Sequence, residues 1–115
     1  MKLLKYRFTA DCPYPAIEGE IADEKGEKGY VVISLCSTAP LAEVAEDGVC
    51  VYNCPSDKVD HNNADDFYRE DFCAFKPAVR TLIGVWNGFK EAERSELIPA
   101  SGTFGPWTVC DLPVA

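Results

Sequence analysis

The sequence predicts an α+β fold, with a mainly antiparallel sheet of about four to five strands and two helices packed on one face. Three observations predict it. Apolar and polar residues alternate over short runs near the N-terminus, at the two-residue period of half-buried strands. Apolar residues between Ala64 and Phe89 recur instead at helical spacing. Strand-like runs outnumber helical ones, and the connections between them are short. At 115 residues the chain is expected to form one domain, 1–115, able to bury enough surface to fold without staples.

Residues 3–9 alternate, with Leu4, Tyr6 and Phe8 on one side and Leu3, Lys5, Arg7 and Thr9 on the other. Pro13 and Pro15 lack a backbone donor and break the run. Ile17, Gly19 and Ile21 then alternate with Glu18, Glu20 and Ala22, which reads as a second strand with one wet face. Residues 24–29 form a charged turn with two glycines. Residues 30–36 are almost continuously apolar and rich in β-branched side chains, as suits an interior strand covered on both faces. These three strands read as an antiparallel meander.

Ser37 or Thr38 with Pro40 favours a short helix over 41–46, ended by Asp47-Gly48. Residues 49–53 read as a short strand with Val49 and Val51 on one face and Cys50 and Tyr52 on the other. Asn62 or Asn63 then caps a helix whose first turn carries Asp65 and Asp66, where negative charge complements the macrodipole. Ala64, Phe67, Tyr68, Phe72 and Phe75 share its face, interrupted by Asp71, until Pro77 ends it.

Pro77 also opens the next helix, which places Val79, Leu82, Ile83, Trp86 and Phe89 on one face. Thr81, Gly84, Gly88 and Ala92 form a stripe of small residues opposite, open to close approach of another backbone. Asn87-Gly88 is a hairpin signal as well, but the charged tract 90–94 suits a helix better than a strand. Residues 103–106 begin or interrupt a last strand, 107–112, which Pro113 closes.

Charge is the least even feature. The chain carries a net charge of −8. Residues 43–71 hold nine carboxylates against Lys58 and Arg69, so seven of those eight charges fall in one quarter of the length. Such a balance disfavours direct binding to nucleic acid or to anionic membranes, and permits steered binding to a basic protein. No run approaches the roughly 18 apolar residues of a membrane span. Lys2, Lys5 and Arg7 interrupt what would be the apolar core of a secretion signal. The expected compartment is the cytoplasm, with reduced cysteines, although the even count of six also permits three disulfides.

The sequence contains no Walker-type loop, dinucleotide fingerprint, Gly-x-Ser-x-Gly or His-Glu-x-x-His, so no catalytic residue is assigned and no cofactor is expected. Cys50, Cys54, His61 and Cys73 offer three thiols and one imidazole to a zinc ion, without a second tight cysteine pair. Asp57, Asp60, Asn62, Asp65 and Asp66 offer oxygen ligands to calcium, without the alternation or central glycine of an EF-hand loop. A cysteine nucleophile, Cys36, Cys50, Cys54 or Cys73, would need His61 as its base, and the surrounding carboxylates would oppose thiolate formation.

A protein-binding surface accounts for the same region more simply. Glu46, Asp47, Asp57, Asp60, Asp65 and Asp66 supply steering charge, and Tyr52 and Tyr68 supply aromatic anchors, with Tyr14 at the margin. The expected protein is a small acidic, non-enzymatic inhibitor or adaptor that docks on a basic protein or nucleoprotein complex. In size and charge it resembles the small acidic proteins, anti-CRISPR proteins among them, with which phages and mobile elements block nucleoprotein machinery. That likeness is one of type and carries no motif. The alternatives are a zinc-binding or cysteine-dependent enzyme using Cys50, Cys54, His61 and Cys73, and a structural component of a larger assembly such as a virion.

Overall fold

The N-terminal alternation folds into a sheet. The computed structural model describes residues 1–12, 14–44, 46–67 and 72–114. In it β1 (Lys2–Cys12), β2 (Tyr14–Ala22) and β3 (Lys28–Ser34) form an antiparallel meander. The short strand β4 (Val49–Tyr52) adds to β3, and β5 (Thr108–Pro113) returns to pair with β1. The order β4-β3-β2-β1-β5 makes β2 the central strand of an antiparallel five-stranded sheet. With the helices α1 (Lys76–Gly88) and α2 (Glu91–Leu97), this is the expected α+β class.

The core lies between the sheet and α1. Ile17 and Ile21 of β2, Val31 and Ile33 of β3, and Leu3 and Phe8 of β1 meet Ala78, Val79, Leu82 and Trp86. Gly19, at the middle of β2, lets α1 settle on the sheet. A Cβ there would stand 2.7 Å from Leu3 Cδ1 and 2.8 Å from Leu82 Cδ2. Pro77 occupies the first turn of α1, as expected.

Several local expectations are corrected. Leu3 pairs with Ile21 but Lys5 pairs with Glu20, so Leu4 is an extra residue in β1. This bulge turns Leu3 into the core beside Tyr6 and Phe8, and not to the side of Lys5 and Arg7. Residues 41–44 form no helix, and only a 3-10 turn, Glu46–Gly48, precedes β4. Side chains from α1 and α2 hold the backbone of the segment before that turn, which bends at 36–39 and 42. Asn87 both donates to Leu41 O and accepts from Leu41 N, at 2.6 and 2.8 Å. Trp86 Nε1 donates to Ala39 O at 3.0 Å. The buried Arg94 donates to Thr38 O and to Phe89 O.

The helix expected from Ala64 to Phe75 is not formed over its first residues. Asn63 does cap a turn, accepting from Asp65 N at 3.1 Å, but the turn is a single 3-10 one, Ala64–Asp66. Phe67 then bridges to Tyr52, and Asn53 N donates to Asp66 O at 2.7 Å. The open edge of β4 competes for these backbone groups and wins. Tyr68 and Asp71 lie outside the described residues. A 3-10 turn, Phe72–Phe75, leads into α1. Asn87-Gly88 ends α1 and does not turn a hairpin, and Lys90 caps α2. Within the small-residue stripe, Gly84 and Gly88 receive no backbone among the described residues: nothing lies within 4 Å of where a side chain would begin.

Candidate functional site

The alternation that sends Ile17, Gly19 and Ile21 toward the helices sends Glu18 and Glu20 to the opposite face. That face was expected to be wet, and it is covered. Glu18 is 0% exposed and Arg7, its register partner on β1, is 5% exposed. Arg7 Nε donates to Glu18 Oε1 at 2.8 Å, and Nη2 donates to Asp57 Oδ1 at 2.9 Å and to Ser56 Oγ at 3.3 Å. Glu18 accepts in turn from Ser56 N at 2.9 Å and from the Ser56 hydroxyl at 2.6 Å. The 3-10 turn Ser56–Lys58 is therefore fastened to the sheet through both members of one ion pair. Phe104 and Trp107 cover the guanidinium, with its carbon 4.7 and 4.3 Å from their ring centres.

A second row runs beside the first. Lys5, Glu20, Tyr30 and Tyr52 are successive register partners across four strands. Tyr30 donates its hydroxyl to Glu20 at 2.8 Å, and Lys5 and Lys28 each stand 3.5 Å from the same carboxylate. Lys5 also lies over Trp107, 4.5 Å from the ring centre. Three cations thus meet three carboxylates, Glu18, Glu20 and Asp57. Among the described residues every buried side-chain nitrogen and oxygen has a partner. This is the condition under which buried charge is tolerated.

The electrostatics follow from these contacts. The Arg7 hydrogen bond holds the Asp57 carboxyl below its ordinary range, assisted by the charges of Arg7 and Lys58 and opposed by partial burial. Burial first, and the Glu20 carboxylate second, push the Tyr30 phenol far up, so it remains a donor. Burial, then Asp66, Asp57 and Glu18, push the Cys54 thiol up, which keeps it protonated and a poor nucleophile.

The fastened loop is largely self-bonded. Asp60 N donates to Asp66 Oδ2 at 2.7 Å, and Asn62 N donates to Asp60 Oδ1 at 2.9 Å. Asn53 Nδ2 donates to Asp65 O at 2.8 Å and to Phe67 O at 3.2 Å. Tyr52 is buried beneath it, edge-on to Phe67 with 5.2 Å between ring centres and to His61 with 6.4 Å. Asp57, Asp60 and Asp65 are exposed on this loop, and Asp66 is half-buried.

The structure separates the other acidic residues from this group. Asp47 is exposed in the 3-10 turn Glu46–Gly48, at the opposite end of β4 from where the loop begins. Glu43 lines a hollow of about 450 Å³ on the helix side, together with Lys76 and Arg80. The side chain of Glu46 and all of Tyr68 lie outside the described residues. A further hollow, of about 420 Å³, lies among Met1, Asp23, Glu24 and Phe75. Neither hollow includes Arg7, Glu18 or Glu20.

Cys50 and His61 are exposed and Cys54 is half-buried, while the side chain of Cys73 lies outside the described residues. Among the described residues no group of three or more His, Cys, Asp or Glu side chains is placed to hold a metal ion. Arg7, Glu18, Glu20, Ser56 and Trp107 were not singled out from sequence. The available signal was two glutamates at alternate positions of a strand with strands on both sides of it.

Compared with known proteins, the chain matches no family model, no curated protein and no solved structure. Among the described residues no helix is long and apolar enough to cross a membrane.

Proposed function

We propose that this is a non-enzymatic interaction protein, an inhibitor or adaptor, whose acidic loop 53–67 docks on the basic surface of a partner protein or nucleoprotein complex. One observation carries the reading. The loop is braced by Arg7, Glu18 and its own hydrogen bonds while Asp57, Asp60 and Asp65 remain exposed. A charged loop held in one shape loses little entropy on binding, and clustered charge of one sign speeds encounter with the opposite sign. The carboxylates that brace the loop, Asp57 and Asp66, are distinct from those that only face solvent or cap a turn.

The test follows from that division. Asp60→Lys together with Asp65→Lys gives up the Asn62–Asp60 turn bond but keeps the bonds of Arg7 and Glu18 to Ser56 and Asp57 and of Asp66 to Asp60 N, and reverses the outer charge. A pull-down from native lysate with the unaltered chain should recover a basic partner, and the reversed variant should lose it. Association should also slow as ionic strength rises. Equal recovery of the same partner by both proteins would sink the reading.

A further inference from the structure

The segment that crosses α1 is bound to the C-terminal half of that helix. Trp86 Nε1 donates to Ala39 O, and Asn87 holds both backbone groups of Leu41. Next along the chain, Ala42, Glu43 and Val44 line the hollow of about 450 Å³ together with Lys76, Val79, Arg80 and Ile83 of α1. Those four helical residues follow i, i+3, i+4 and i+7, so they form one stripe, roughly 10 Å long by the helical rise. Val79 is buried and Val44 and Ile83 are half-buried, which gives the hollow an apolar part. Glu43, Lys76 and Arg80 are exposed around it. Among the described residues neither the Glu43 carboxylate nor the Arg80 guanidinium has an ion pair or a hydrogen bond. Arg7, Lys2, Lys5 and Lys28, in contrast, are each paired with a carboxylate.

We infer that this hollow binds a short apolar peptide by both of its free termini, with Arg80 and Lys76 facing the carboxylate and Glu43 facing the ammonium. Opposite charges that line one hollow without meeting suit a ligand that carries both. A guanidinium matches a carboxylate in charge and in its forked donor geometry. The apolar part then takes the ligand's side chains out of water. Size agrees with this occupant. Sites for small ligands commonly enclose about 300–1,000 Å³. Three extended residues, at about 3.3 Å each, match the length of the stripe. In an extended tripeptide the first and third side chains point the same way, so two apolar groups reach the wall together. The inference stands apart from the acidic loop, which is fastened to the other face of the sheet.

The probe is the tripeptide Leu-Ala-Leu with both ends free, added to the isotope-labelled full chain and followed by backbone amide shifts. It should shift the amides of 42–44 and 78–83. Two control peptides accompany it, one acetylated at its N-terminus and one amidated at its C-terminus. Each cap removes one charge and should weaken binding by about tenfold. The variants Glu43→Gln and Arg80→Gln, both at exposed positions that leave the core intact, assign the ends. Acetylation should cost nothing further in Glu43→Gln, and amidation should cost little further in Arg80→Gln, because the partner of the lost charge is already gone. Absence of shifts at 42–44 and 78–83 overturns the site. A capped peptide that binds the unaltered chain as well as its parent overturns the recognition of that end. Shifts at the same amides on raising the concentration of the protein alone also overturn it, since the occupant is then a second copy.

Discussion

The two faces of the sheet arise from one alternation and are held by opposite physics. On the helix side Ile17, Ile21, Val31 and Ile33 meet Leu82 and Trp86, and the attraction is non-directional. On the other side Arg7, Glu18, Glu20 and Tyr30 are held by hydrogen bonds, each of which needs a particular partner at a particular distance. A loss on the first face scales with the volume removed. A loss on the second is closer to all-or-none, because deleting one member strands a charge that was desolvated for the other. The difference teaches that charge on a central strand need not mark a solvent face. It can mark where a distant loop is fastened.

The largest expected effects compare these faces directly. Glu18→Ala leaves the buried Arg7 Nε without its acceptor, with Asp57 as the one carboxylate still bonded to Arg7, and releases Ser56, and should lower stability by about 3–5 kcal/mol in urea unfolding. Leu82→Ala should cost about 2–5 kcal/mol by leaving a cavity. The contrast lies in the rescue. Arg7→Leu combined with Glu18→Leu should recover much of the single-variant loss, since neither charge is then left buried alone, whereas Leu82 has no partner whose removal restores it. Additive losses in that double-mutant cycle would break the contrast between the faces.

A smaller effect is expected at the roof. Gly105 N donates to Phe8 O at 2.7 Å, and a Cβ on Gly105 would also stand 2.7 Å from that oxygen. Gly105→Ala must therefore shift backbone and draw Phe104 away from Arg7. The expected loss is about 1–3 kcal/mol, read as a lower Tm. An unchanged Tm would mean that the aromatic roof contributes little.

Acid should separate the loop from the sheet before the sheet melts. The Asp57 carboxyl is held below its ordinary value, so its contribution is complete above the ordinary carboxylate range and is lost as pH falls through the lowered value. Amide exchange over 54–67 should quicken on acidification while the amides of Ile17 and Val31 stay protected. Asp57→Asn, which keeps an acceptor for Arg7, should remove that step. The smallest effect is chemical: exposed Cys36 and Cys50 should alkylate before Cys54, whose thiol is pushed up by burial and by Asp66. Early reaction at Cys54 would show the loop to be less firmly seated than its hydrogen bonds imply.

Much of the fold was legible because it follows from local period. The placement of Ile17, Gly19 and Ile21, the two faces of β4 and the core stripe of α1 follow from spacing, and of the two candidate caps, Asn62 and Asn63, Asn63 takes the role, on a 3-10 turn in place of a helix. The bulge at Leu4 was not legible, since one inserted residue leaves the pattern on either side intact. The turn at Ala64–Asp66 was read as a helix because Phe67 fits a helical stripe as well as it fits a bridge to Tyr52. At the candidate site the carboxylates of the loop were visible as charge. That Asp57 is tied to Arg7, fifty positions away, was not.

Which residues share a side of a strand or helix was determined by the sequence alone, because backbone geometry sets where successive side chains point. What lies over each side was decided only by the tertiary structure. Glu18 and Glu20 are interior because Arg7, Ser56, Lys5 and Tyr30 reach them from other strands and from a loop. A charge leaves water only where its partners are already assembled, and no local pattern records that assembly.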